Sequence, residues 1–169
     1  MIVLWYNVKS ILVLSILNYL TVGDFMTCTF FGHRNITHDI EPVLNSVLVD
    51  LIENENVNLF YVGNSGVFDA MVQNKLKHLK SLYPHIKCFT VIAYMPTKQN
   101  KTETDLDTIY PDGLENTPPK FAINKRNKWM IDKSDYVVTY VKHTTGGAVK
   151  FKEFAEKEEK KVINIADME

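Results

Sequence analysis

The chain has only two cysteines in 169 residues, which excludes a disulfide framework. Cys28 and Cys88 each sit inside an apolar run and read as buried, reduced thiols, pointing to a cytoplasmic protein. Charge of one sign is lacking too: 19 Lys and Arg face 20 Asp and Glu, for a net charge of −1. That balance gives no reason to expect a general nucleic-acid binder. Chemistry-bearing signatures are also scarce. There is no Gly-x-Ser-x-Gly elbow and no complete phosphate loop ending in Gly-Lys-Ser/Thr. Neither the cysteines nor His38, His78, His85 and His143 show metal-ligand spacing, so no metal and no cofactor are expected.

A long hydrophobic run is missing as well. The first 25 residues are mostly apolar, but Lys9 interrupts them and the uncharged stretch Ser10–Gly23 covers only 14 residues. A membrane-spanning helix needs about 20. No small-x-small cleavage pattern follows Leu20, which weakens a signal peptide. The preferred reading makes Met26 the physiological start, with residues 1–25 an artificial extension and membrane association unlooked for. A membrane-associating helix and a secretion signal are the alternatives.

What is present is a chain that is 46% hydrophobic and 23% charged, the balance of an ordinary globular protein. Its length suits one domain, residues 26–169, burying about two-thirds of the unfolded surface. The charge is uneven. Residues 1–119 hold 8 basic and 12 acidic side chains, whereas residues 120–169 hold 11 and 8, so an anion is favoured near the C-terminal third.

From residue 27 onward, short β-rich runs alternate with segments of helical spacing. Strands are expected at 27–31, 57–62, 86–93, 136–141 and 162–165. Helices are expected at 39–54, 68–82, 121–132 and from 147 or 148 to 160. Residues 95–119, with four prolines and no period, read as a long loop. Alternation of this kind implies right-handed crossovers and a mainly parallel five-stranded sheet between two helical layers, a Rossmann-like three-layer α/β sandwich. In such folds ligands bind beyond the carboxyl ends of the strands, where the strand order reverses.

Three loops lie at that end. Gly32-His33-Arg34 follows the first strand, with an arginine suited to clamping a phosphate. Gly63-Asn64-Ser65-Gly66 follows the second and opens a helix whose first turn carries Asp69. Thr144-Thr145-Gly146-Gly147 follows the fourth expected strand and opens another helix. Free N–H groups at a helix start form an anion site without any cationic side chain. Each loop also has a plainer reading: Arg34 in a surface ion pair, His33 in a local turn hydrogen bond, Asn64 or Ser65 as a helix cap, Asp69 favoured by the helix dipole.

The pieces Thr29-Phe-Phe-Gly-His-Arg34, Gly63-Asn-Ser-Gly-Val-Phe-Asp69 and Arg126-Asn-Lys-Trp-Met-Ile-Asp-Lys-Ser-Asp-Tyr136 resemble, in order, the SLOG superfamily, closest to its YpsA-like branch. That superfamily includes Lonely-Guy phosphoribohydrolases, DprA-type DNA-processing proteins and domains proposed to sense nucleotide-derived signals. Arg126, Trp129 and Met130 fall on the Lonely-Guy Arg-Lys-x-x-Met segment, with Asn127 in place of Lys. Gly146, Gly147 and Glu153 fall on its Pro-Gly-Gly-x-Gly-Thr-x-x-Glu segment, where Thr145, Val149 and Lys150 depart from the pattern. The resemblance implies a nucleotide-type small-molecule ligand, Arg126 and Glu153 as the catalytic pair if the chain cleaves an N-glycosidic bond, and a homodimer. Three function classes follow: a nucleotide-sensing or binding module first, a nucleoside 5′-monophosphate phosphoribohydrolase second, and a DprA-like single-stranded DNA binder third. In the enzyme reading Arg126 holds the 5′-phosphate, while Glu153 or Asp69 stabilises positive charge growing on the ribose. The plainer reading of Glu153 is a residue in a solvated charge run on a helix surface.

Overall fold

The computed structural model describes residues 25–37, 39–96 and 104–168. The readings of the apolar amino-terminal segment fall almost wholly outside the described residues, as does His38. Among the described residues no helix is long and apolar enough to cross a membrane.

The strands are β1 (Met26–Gly32), β2 (Val57–Val62), β3 (Lys87–Val91), β4 (Asp107–Ile109), β5 (Tyr136–Tyr140) and β6 (Lys161–Asn164). The helices are α1 (Glu41–Glu53), α2 (Val67–Leu82), α3 (Pro119–Asp132) and α4 (Gly147–Lys157), with a short 3-10 turn over Ile165–Met168. The six strands form one sheet in the order β4-β3-β2-β1-β5-β6, and every pairing is parallel. This is the expected three-layer α/β class with one strand more than expected.

The added strand is β4. It lies inside the proline-rich stretch read as a loop, and only three residues pair, Asp107 to Ile109 against Phe89 to Val91. Two of the three are exposed, so the strand has no buried face to impose an alternating pattern. It closes one edge of the sheet as a short, charged strand, a form that discourages further pairing.

Strand polarity explains the layers. Successive β1 side chains point to opposite faces. Cys28 and Phe30 enter the larger core, with Leu44, Leu48 and Leu51 of α1 and Val72, Leu76 and Leu79 of α2. Phe31 enters the smaller core beside Val91, Val137, Met130 and Ile131 of α3 and Ala155 of α4. All five β5 residues are buried, which fits a strand covered on both faces. Both cysteines are free and buried, and burial raises the pKa of each thiol.

Helix limits follow local chemistry. Helix α1 starts two residues later than the expected 39, at Glu41, whose N–H donates to Asp39 Oδ1 at 3.1 Å, with Pro42 in the first turn. Helix α3 starts two residues earlier than expected, because Pro119 has a fixed φ suited to a first helical position. Helix α4 stops at Lys157, short of the expected 160, and Glu159 turns the chain with φ 55° toward β6.

β1 is the turning point of the sheet. Its register with β2 pairs Cys28 with Phe60, and its register with β5 pairs Cys28 with Tyr136 and Gly32 with Tyr140. The chain winds from β1 out to β4 on one side, then returns to β5 and β6 on the other. The loops leaving β1 and β5 therefore part above this seam and leave a cleft there.

Candidate functional site

A cleft of about 220 Å³ opens at the seam, lined by Phe30 to Arg34, Gly63, Ser65, Asp69, Ile123, Arg126, Asn127, Met130, Gly147, Ala148 and Phe151. Eight residues singled out from sequence meet here: Gly32, His33, Arg34, Gly63, Ser65, Asp69, Arg126 and Gly147. Asn64, Gly66, Thr144, Thr145 and Gly146 lie on the same loops but outside the wall. Glu153 is exposed on α4 and does not line the cleft.

The floor is a buried carboxyl beside a buried guanidinium. Asp69, in the first turn of α2, is 8% exposed, and Arg126, in the middle of α3, is 1% exposed. They meet beneath Gly63. A Cβ there would fall inside contact distance of Asp69 Oδ2 and lie 2.8 Å from Arg126 Nη1. Glycine is thus required by close approach rather than by its dihedral angles. The Ser65 N–H donates to Asp69 Oδ2 at 2.8 Å, and Arg126 Nη1 donates to the Val91 carbonyl at 2.7 Å. Arg126 Nε is buried with no partner among the described residues.

Burial dominates the electrostatics of both partners. It pushes the Asp69 carboxyl up to about 6, against the opposing pull of the Ser65 N–H and Arg126. It also lowers the Arg126 pKa, against Asp69 and Tyr94. An arginine does not give up its proton in a protein, so the carboxyl is the member that titrates. Arg126, expected from the resemblance to hold a phosphate, is buried, gives a hydrogen bond to the Val91 carbonyl and feels the charge of Asp69.

The loop after β1 forms one lip. Phe68 occupies the space where a side chain on Gly32 would go, with its Cβ 2.8 Å from the position of a Gly32 Cβ. His33 ties this lip to the one after β5. Its main-chain N–H donates to the Tyr140 carbonyl at 3.3 Å, and its Nε2 accepts the Lys142 N–H at 3.0 Å. An accepting Nε2 leaves the ring proton on Nδ1. The His143 ring lies 4.7 Å away, and burial followed by the charge of His143 lowers the His33 pKa. Arg34 is exposed at the mouth, and its carbonyl accepts the Val67 N–H at 3.0 Å.

The start of α4 forms the opposite lip. Gly146 holds φ 123°, no side chain caps the helix, and Gly147 and Ala148 face the cleft. Uncapped N–H groups and the positive end of the helix dipole favour an anion there.

Sequence reasoning did not single out Phe30, Phe31, Ile123, Asn127, Met130, Ala148 or Phe151 as site residues. Ile123 and Met130 lie three residues before and four after Arg126 on its helix face, and Asn127 lies at i+4 from Ile123 and i−3 from Met130. Among the described residues no group of three or more His, Cys, Asp or Glu gathers as a metal site would require.

No family model matches the chain, and no curated protein matches it. Solved structures do. DNA processing protein A from Streptococcus pneumoniae aligns with a TM-score of 0.58 and 21% identity, over 82% of this chain and 49% of that one. DNA processing protein A from Helicobacter pylori, whose structure describes a single-stranded DNA binding mode, aligns with a TM-score of 0.56 and 18% identity, over 81% of this chain and 63% of that one. The chain shares the Rossmann-like α/β fold of these neighbours. It spans about half to two-thirds of the length of these neighbours, and at such identities the likeness concerns the fold alone.

Proposed function

We propose that this chain is a SLOG domain of the YpsA-like branch that binds a nucleotide or nucleotide-derived phosphorylated small molecule in the seam cleft. One observation carries the reading: a single cleft joins a buried Asp69–Arg126 floor to an uncapped helix start and an exposed arginine at its mouth. The floor offers hydrogen-bonding groups to the uncharged part of a ligand. The mouth offers N–H groups and Arg34 to its phosphate. At about 220 Å³ the cleft is smaller than the roughly 300–1,000 Å³ of enclosed small-molecule sites, so it grips one end of a ligand and leaves the other at the opening.

The test is calorimetric titration with nucleoside 5′-monophosphates, diphosphates and triphosphates, alongside mass spectrometry of molecules retained on purification. Arg34→Ala should weaken the best ligand by about 10-fold or more, the worth of a charge-assisted hydrogen bond, without lowering the melting temperature. Absence of binding across the panel would sink the reading.

Two other readings each have an observation behind them. Asp69, near 6 and buried at the cleft, has the pKa of a group able to exchange protons at working pH, which favours a phosphoribohydrolase with Asp69 rather than exposed Glu153 as its carboxylate. Release of free base from a nucleoside monophosphate would establish turnover. The likeness to a single-stranded DNA binder brings nucleic acid back as a partner. Oligonucleotide affinity falling steeply with salt would support it, whereas small-ligand binding is less salt-dependent.

A further inference from the structure

The cleft has a second half that the Asp69 and Arg126 floor and the anion-facing mouth leave unused. Phe31, Ile123, Met130 and Phe151 line it, with the Phe31 and Phe151 rings stacked at 5.2 Å. Asn127 stands among them on α3, four residues from Ile123 and three from Met130. It is 9% exposed, yet its side-chain amide makes no hydrogen bond to any described residue. An amide with no protein partner takes its hydrogen bonds from whatever occupies the space beside it, solvent or ligand. Its nitrogen and oxygen are not sealed off as Arg126 Nε is, and the space they reach is the cleft.

We infer that Asn127 is a specificity-determining residue that reads the edge of a flat heterocycle seated against Phe31, Met130 and Phe151. An asparagine amide sets a donor beside an acceptor. Its best-fitting partner edge is an exocyclic amino group beside a ring nitrogen, as adenine presents. The apolar walls take the ring faces, and the amide fixes which edge turns toward it. The inference rests on the proposed nucleotide binding and refines it. The phosphate lies at Arg34 and the start of α4, and the base lies inward at Asn127.

The experiment titrates the wild-type chain and Asn127→Leu with AMP and with purine riboside 5′-monophosphate, the same nucleotide with hydrogen in place of the amino group. Leucine matches the neighbouring walls and removes no existing hydrogen bond, so the melting temperature should hold or rise. Wild type should bind AMP about 10-fold more tightly than the analogue, and the variant should bind the two equally, the closed cycle that isolates one contact. Equal wild-type affinities, or a preference that survives in the variant, would overturn the role of Asn127. Binding of GMP or UMP in the cleft without AMP or CMP would overturn the edge of an amino group beside a ring nitrogen and leave the nucleotide reading standing. No binding of any of the four would remove both.

Discussion

The loops after β2 and β5 carry the same local pattern, a strand followed by small residues and glycines that open a helix, yet they are built for different tasks. Around Gly63–Gly66 every approach is occupied. Asp69 and Arg126 press on Gly63, Arg34 Cα would lie 3.0 Å from a Cβ at Gly66, the Ser65 and Val67 N–H groups are bonded, and Gln73 Nε2 donates to the Gly63 carbonyl at 2.6 Å. Around Gly146 and Gly147 a Cβ would meet nothing within 4 Å among the described residues, and the helix, like α2, has no side-chain cap there. The first loop has spent the Ser65 N–H on a buried carboxyl, and the Val67 N–H and Gly63 carbonyl on neighbouring groups. The second stands open, the feature on which the proposed anion site rests.

That contrast is easiest to break at Gly63. An added methyl group would be driven against a carboxylate and a guanidinium that are both buried and bonded, with no flexible end able to swing away. Gly63→Ala should lower the unfolding free energy by about 2–3 kcal/mol, the upper range for overpacking, in a denaturant titration. A loss under about 0.5 kcal/mol would mean that the floor is not close-packed.

Much of this architecture is legible in the chain itself, because strands buried on both faces and helices with one apolar stripe announce their periods. Strands β1, β2 and β5 needed only their apolar runs and flanking glycines. Strand β4 left no such trace, since its three residues are held by backbone pairing to β3 and not by side chains facing a core. The site divides the same way. The glycine loops can be read because each follows a strand. The pairing of Asp69 with Arg126, 57 positions apart by their numbering, depends on α2 and α3 reaching one seam from opposite faces of the sheet. Asn127 looked like a departure from the resembling motif. It acquires a reading only when the cleft shows it beside apolar walls with no partner.

The closed loop also predicts a pH signature. The folded-state pKa of Asp69 lies near 6, above its ordinary 3.8, so the stability it contributes is fully present below 3.8 and is lost as pH rises through 6. Asparagine at this position does not titrate. The unfolding free energy of wild type minus that of Asp69→Asn should therefore fall by about 2 kcal/mol between pH 4.5 and 7.5. His33 pulls the opposite way. Its pKa is depressed, so its contribution is present above the ordinary 6.5 and lost as pH falls, when Nε2 takes a proton and can no longer accept the Lys142 N–H. The subtraction cancels that effect because both chains carry His33. A difference independent of pH would show that Asp69 is ionised throughout, held by Arg126 more strongly than burial opposes it.

The smallest effect on stability belongs to the open loop, and there its size is the point. Gly147 is the first residue of α4, and space is free around its missing Cβ, so Gly147→Ala should move the unfolding free energy by no more than about 0.5 kcal/mol. Alanine also has the better helix propensity, which tilts the change toward stabilisation. Binding should respond differently. If the phosphate of a nucleotide rests on the N–H groups of Gly147 and Ala148, a methyl group at Gly147 narrows the approach, and affinity for the best ligand should fall several-fold while the melting temperature holds. Glu153→Gln, on the same helix but outside the cleft, is the matched control and should alter neither quantity. Unchanged affinity in Gly147→Ala would move the phosphate away from α4 toward Arg34, and the contrast between a filled loop and an open one would then describe packing alone.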